Sequence, residues 1–251
     1  MIKIKDLQVT GRLFPLSVTF DAGDIIHVIG PNGSGKSSFL SALAGVLAYQ
    51  GEIHFASQNI AKLSSRELAL WRAYLPQQQV PAFQLDVFQY LALSLPNGID
   101  IVGDDVNRTI HQLCDKLQLT DKLARSIQQL SGGEWQRVRL IGMCLQLWPE
   151  WNTQSQLLIL DEPAAPLDIA QEALLYELLQ EISQLGITIV MANHDLNRTF
   201  QYASQVMLLE QGRLVAYGKP MDVLTAEQLE AVFKTTVTLT QVAERTVLIF
   251  D

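Results

Sequence analysis

Gly30-Pro31-Asn32-Gly33-Ser34-Gly35-Lys36-Ser37 fits the phosphate-binding pattern G-x-x-x-x-G-K-[ST] at every fixed position. The apolar run Ile25-Ile26-His27-Val28-Ile29 precedes it, and a helix-like stretch with Phe39, Leu40, Leu43 and Val46 on one face follows. This is the strand–loop–helix setting the motif needs. Glycines let the backbone wrap a phosphate closely and aim successive N–H groups inward, while the following helix offers its positive end to the same anion. Lys36 adds a mobile charge for β- and γ-phosphates, and Ser37, with Ser38 beside it, supplies hydroxyl oxygen of the kind Mg²⁺ prefers. The stretch therefore predicts an ATP or GTP site in an α/β core.

With 251 residues, 48% of them hydrophobic, the chain has enough length to bury a sizeable core. Its apolar runs stay shorter than the roughly 18–20 residues that span a bilayer. Met1-Ile2-Lys3-Ile4-Lys5-Asp6-Leu7 alternates like a strand and lacks a signal-peptide core, so a cytoplasmic protein is expected. Cys114 and Cys144 sit in helix-like stretches and read as core thiols. A net charge of −8 disfavours nucleic acid and anionic lipid, so membrane association is expected through a protein partner.

Upstream of the loop, Ile2–Ile4 and Leu16–Phe20 read as strands of an N-terminal antiparallel β subdomain. Downstream, Glu52–Phe55 is strand-like, and Ser64-Ser65-Arg66-Glu67 opens a short capped helix through Trp71. From 80 to 149 the pattern is helical: Asp86 caps a turn bearing Val87, Tyr90 and Leu91, and Val106, Ile110, Leu113 and Leu117 follow at helical spacing. This predicts a helical subdomain inserted into a core made of 1–79 and 150–251. It ends in Leu130-Ser131-Gly132-Gly133-Glu134, where Ser131 and Glu134 have capping-box spacing and two glycines leave a helix N-terminus open to an anion. Val138, Ile141, Leu145 and Trp148 continue one face of that helix.

After a polar linker at 150–156, Leu157–Leu160 is a fully apolar strand ending in Asp161-Glu162, where ligands of parallel sheets bind. Asp168 caps a helix with Leu174, Leu175, Leu178, Ile182 and Leu185, ended by Gly186; Ile187–Ala192 is the next buried strand and leads to His194-Asp195. Such alternation implies a doubly wound, mostly parallel sheet. Val206–Tyr217 reads as a hairpin around Gln211-Gly212, Thr225 as a helix cap, and Thr236–Leu239 with Thr246–Phe250 as a last pair of strands.

Taken together, the phosphate loop, Gln77, Leu130-Ser131-Gly132-Gly133-Glu134, Asp161-Glu162 and His194 stand in the order and approximate spacing of an ABC-type ATPase, and the whole chain resembles that family. The Leu-Ser-Gly-Gly-Glu segment discriminates it from kinases and GTPases that share the phosphate loop. Within the family, Tyr74-Leu75-Pro76-Gln77-Gln78-Gln79, Phe83 and Ser131–Leu140 resemble the ATPase subunits of bacterial cobalamin (vitamin B12) importers. Ferric-siderophore or haem importers are the alternative, and a soluble non-transport ABC ATPase a further one.

The resemblance implies ATP and Mg²⁺ as cofactors, with Ser37, Gln77 and, through water, Asp161 around the metal. It implies Glu162 as the residue that polarises the attacking water, with Gln77 and His194 completing the hydrolytic group. Ser131, Gly132, Gly133 and Glu134 of one copy would cover the γ-phosphate held by Lys36 of another. The expected assembly is a homodimer on the cytoplasmic face of the bacterial inner membrane, bound to two transmembrane permease subunits and served indirectly by a periplasmic substrate-binding protein. Two departures from the family stand out: Thr10-Gly11-Arg12-Leu13 offers no aromatic at the place where relatives stack adenine, leaving Arg12 or Phe14 as substitutes, and Ala164-Ala165 stands where relatives usually carry a serine or threonine after Glu162.

Overall fold

The computed structural model describes residues 1–77, 84–99, 103–243 and 245–250. β1 (Ile2–Val9) and β2 (Leu13–Phe20) pair antiparallel, burying Ile2, Ile4, Leu7, Leu16, Val18 and Phe20. Both strands extend beyond the short runs read from the sequence. The period-two signal breaks in β1 because Asp6 enters the left-handed region at φ 50° and a bulge shifts the register between Ile4 and Leu7.

β3 (Ile25–Ile29) leads through the phosphate loop into α1 (Lys36–Leu43). α1 stops sooner than expected: Gly45 turns the chain at φ 69°, so Val46 is exposed rather than on the packed face. β4 (Gln50–Phe55) and β5 (Gln58–Asn59) complete a four-stranded antiparallel sheet in the order β2-β1-β4-β5. α2 (Ser65–Trp71) begins in the expected box, with Ser64 N donating to Glu67 Oε2 (2.8 Å) and Glu67 N to Ser64 Oγ (3.3 Å), and β6 (Arg72–Leu75) follows directly.

Three helices come next: α3 (Val87–Leu93), α4 (Asp104–Lys116) and α5 (Gly132–Leu147). Val106, Ile110, Leu113 and Leu117 are all buried, as their spacing requires of a helix packed on one side. Cys114 and Cys144 are free, buried thiols, and burial pushes each up to about 12. Gln78, Gln79, Phe83 and the 79/80 boundary lie outside the described residues.

The remaining elements are β7 (Leu157–Asp161), α6 (Ile169–Gln184), β8 (Thr188–Ala192), α7 (Leu196–Tyr202), β9 (Gln205–Glu210), β10 (Arg213–Gly218), α8 (Pro220–Val223), α9 (Ala226–Phe233), β11 (Val237–Val242) and β12 (Arg245–Phe250). The segment read as a polar linker is tied down instead. Asn152 is buried, its Nδ2 donating to Leu70 O and Gln146 O (both 2.9 Å), because these carbonyls end helices and need donors. Leu185, expected on the inner face of α6, is half exposed at the turn into Gly186.

A six-stranded sheet runs β10-β9-β3-β8-β7-β6, parallel throughout except for β10. β3, β7 and β8 are buried at every position, and their alternation separates two cores. Leu158, Leu160, Ile189 and Met191 pack with α5 and α6; Leu157, Ile159, Val190 and Ala192 pack with α1 and the antiparallel sheet. A helical layer and a β layer thus cover opposite faces, leaving the carboxyl ends of β3, β6, β7 and β8 gathered at one edge.

Candidate active site

At that edge the phosphate loop is shaped by glycines that nothing else could replace. Gly30 (φ 145°) and Gly35 (φ 105°) are left-handed, and a Cβ would lie 2.1 Å from Leu209 O in the first and 2.6 Å from Leu13 Cδ2 in the second. Gly35 caps α1 without a side-chain hydrogen bond, so the first N–H groups of the helix stay available to a ligand. Lys36 curls over the loop, donating to Gly30 O (2.8 Å) and Pro31 O (3.2 Å). Burial lowers its pKa, while the carboxylates of Glu162 and Asp161 oppose that shift. A cavity of about 430 Å³ lies here, lined by Arg12, Asn32, Lys36, Ser37, Ser38 and Glu162 among others. Pro31 and Ser34 hold the loop from behind: Ser34 N donates to Pro31 O (3.1 Å), and Ser34 O accepts from Gly212 N (2.9 Å).

Two carboxylates face this loop from the end of β7, and their surroundings differ. Asp161 is buried and accepts from Ser37 Oγ (3.2 Å); burial raises its pKa, and the neighbouring Glu162 charge adds to the rise. A buried carboxylate beside a hydroxyl is a hard-oxygen pair that suits Mg²⁺, whose remaining ligands would be water and phosphate. Among the described residues there is no cluster of three or more His, Cys, Asp or Glu to hold a metal otherwise.

Glu162 adopts φ 52°, a conformation disfavoured for a residue with a Cβ. Its carboxylate is gripped from two sides: Gln77 Nε2 donates to Oε2 (2.8 Å), and His194 Nε2 meets Oε1. Gln77, expected to reach the Mg²⁺ or the lytic water, thus meets the second carboxylate directly.

The turn bearing His194 is anchored by residues the motif reading passed over. Asn193 Oδ1 accepts from Asp195 N (3.1 Å), and its Nδ2 donates to Tyr176 OH (3.0 Å). His27 is fully buried in β3, its Nδ1 3.0 Å from Thr199 Oγ1, and burial pushes its pKa down to about 3. A histidine inside an otherwise apolar strand was the available signal for this network.

Ser131, Gly132, Gly133 and Glu134 open α5, and none of them lines the cavity holding Lys36. The expected bare N-terminus is partly occupied. Ser131 Oγ accepts from Glu134 N (3.2 Å) and Glu134 Oε2 from Ser131 N (2.7 Å), the latter bond holding the Glu134 pKa below the carboxylate norm. The N–H groups of Gly132 and Gly133 remain. A Cβ on Gly132 would meet nothing within 4 Å, whereas one on Gly133 would lie 2.8 Å from Gln171 Oε1 and 3.1 Å from Pro166 O.

Of the two candidates for the adenine contact, Arg12 borders the phosphate cavity. Phe14 lies under the Arg213 guanidinium, 3.7 Å from its ring centroid.

The sequence pattern of the ABC transporter family matches residues 13–165. Over 251 residues, covering all of both chains, the chain is 55% identical to the vitamin B12 import ATP-binding protein BtuD of Vibrio atlanticus. Identity to the protein of the same name from Vibrio cholerae is 51%, again over all of both chains. The solved structure of an ATP-binding subunit of an ABC transporter shares the fold, with a TM-score of 0.78 at 24% identity over 88% of this chain and 91% of that one.

Proposed function

The chain belongs to the ABC transporter family of ATPases, and on that footing we propose that it powers vitamin B12 import through a separate transmembrane permease. The observation that carries the substrate is full-length identity above half with a protein named for vitamin B12 import. No helix among the described residues is long and apolar enough to cross a membrane, which suits a subunit whose permease is another chain.

The division of labour follows from the two carboxylates. Lys36 and the loop amides bind the β- and γ-phosphates of ATP, and Lys36 exchanges the carbonyls of Gly30 and Pro31 for a better, charged acceptor. Asp161 and Ser37 would hold Mg²⁺, which neutralises phosphate charge when bound. Glu162, aimed by Gln77 and His194, takes a proton from the attacking water. Phosphoryl transfer is mostly positioning, so a carboxylate clamped on both oxygens is apt for the task.

One chain carries one phosphate loop and one open pair of glycine amides, and the two are not part of one cavity. A head-to-tail homodimer would complete both sites, with Gly132 and Gly133 of one copy on the γ-phosphate of the other. In this reading residues 1–79 and 150–251 form the nucleotide core and 80–149 the helical subdomain that moves against two permease subunits. The assembly would sit on the cytoplasmic face of the membrane, with a periplasmic binding protein delivering substrate. The test is reconstitution with candidate permeases: vitamin B12 uptake and stimulated ATPase are expected with a cobalamin permease. Coupling to a ferric-siderophore permease alone would overturn the substrate.

A further inference from the structure

Gln136 and Arg139 lie one turn apart on α5, both nearly inaccessible, and their polar heads each reach a backbone carbonyl. Gln136 Nε2 donates to Pro163 O (3.0 Å), the residue after Glu162. Arg139 Nη2 donates to Pro76 O (2.7 Å), the residue before Gln77, and its Nη1 donates to Gln136 Oε1 (3.1 Å). Gln77 in turn donates to Glu162 (2.8 Å). The contacts close a ring in which Gln77 and Glu162 meet at the front while Arg139 and Gln136 hold their neighbours from behind.

Resting on the reading of Glu162 as the base, we propose that Gln136 and Arg139 are positioning residues that tie the Ser131–Gly133 end of α5 to the Gln77–Glu162 pair. A helix is stiff over so short a span: Gln136 is about 7.5 Å of helix from the Ser131 cap. Contact at the glycine amides therefore displaces both carbonyls together. Glu162 is the element able to respond, since its left-handed backbone lies in a sparsely populated region held in place by its surroundings. Stability alone gives little reason to bury this guanidinium. Among the described residues its hydrogen-bond partners are neutral oxygens, and a buried charge so served gains little over an apolar side chain. Burial lowers the Arg139 pKa, consistent with that cost.

The decisive variant is Gln136→Glu in the full-length chain. It keeps the acceptor for Arg139, as an ion pair, but turns the Pro163 donor into a repelling oxygen, so one link is cut and the other kept. We expect kcat for ATP to fall tenfold or more, with KM and nucleotide affinity within threefold of the parent. Arg139→Gln, which cuts the Pro76 link, should do the same, and Arg139→Lys should restore part of the rate. Adding Gln77→Ala to Gln136→Glu should lower kcat less than threefold further, since both act on one carboxylate. Parent-like kcat in both Gln136→Glu and Arg139→Gln, or fully multiplicative losses in the double variant, would overturn the proposal. Should Gln136→Glu not fold, the Arg139 pair decides in the same way. The control is Glu162→Gln, expected to lower kcat about 100-fold or more while still binding ATP. If that variant hydrolyses at the parent rate, the base assignment fails and this inference with it; a slow Glu162→Gln beside fast α5 variants fails the inference alone.

Discussion

Two helices of this chain open at glycine-rich turns, α1 after Gly30–Gly35 and α5 at Ser131–Gly133, and the two N-termini are prepared differently. At α1 the cap is a left-handed glycine with no side-chain hydrogen bond, and a lysine is stored on the loop's own carbonyls. At α5 a serine and a glutamate satisfy each other's backbone N–H, which leaves the two glycine amides and no cation in the first turn. In the proposed function the first end would hold phosphate by itself; the second is already a stable helix start that would gain modestly from an anion. Affinity should therefore reside at α1, and conditional closure at α5.

The largest effect is expected from breaking the α1 side. Lys36→Ala removes the charge matched to the β- and γ-phosphates, a loss of about 3 kcal/mol or more, so ATP affinity should drop at least about 100-fold and hydrolysis almost vanish. Fluorescent-nucleotide binding measures it, and near-parent affinity would mean that the amides suffice.

Next comes complementation between the two ends. A bulky Gly132→Trp should fold, because that position faces open space, yet hydrolyse little by itself. Mixed with the Lys36→Ala chain it should regain activity, since a mixed dimer has one site carrying both defects and one carrying neither. Failure to regain any activity although mixed dimers form would remove either the cross-subunit arrangement or the independence of its two sites.

Acid should separate the strand that feeds α1 from the rest. His27 takes a proton in the unfolded chain below its ordinary 6.5 but in the folded chain only near about 3, so between those values the unfolded state binds more protons and stability falls as pH falls. At pH 5 the loss from this group is about 2 kcal/mol. His27→Gln, which cannot charge, should lose correspondingly less stability between pH 7 and pH 5 by denaturant titration. Equal losses would show that His27 protonates in the fold.

The smallest effect lies at the α5 cap. Ser131→Ala forfeits the bond from Glu134 N and should cost about 1 kcal/mol in unfolding free energy, leaving ATP affinity of the single chain unchanged. A fall in that affinity would place the α5 end in the cis site and erase the contrast between the two helices.

Much of this architecture was legible from neighbours along the chain. Capping at Ser64, Ser131 and Asp168, the buried runs of β3, β7 and β8, and the glycines of the phosphate loop are decided by residues within one turn or one strand of each other. Local φ preferences, period two and period 3.6 act at that range. The same locality explains the misses: Val46 continues an apolar period past Gly45, Leu185 sits at the helix end just before Gly186, and Asp6 interrupts β1 with a bulge that no pattern announces.

What only the tertiary structure decided is which side chains meet. Gln77 and Glu162 are 85 positions apart, Glu162 and His194 are 32, and Arg139 reaches a carbonyl 63 positions away. Motif resemblance named Gln77, Glu162 and His194 as a group, but nothing in their spacing dictates that one carboxylate receives both partners. Nor does it mark Gln136, Arg139 or Asn193 as their supports. Those contacts exist because parallel pairing in the order β3-β8-β7-β6 brings the strand ends to one edge, where α5 packs on β6 and β7 and reaches the segments that follow them. Hydrogen bonds form between groups that the fold makes adjacent, and adjacency across strands is a property of sheet order that the local chain does not carry.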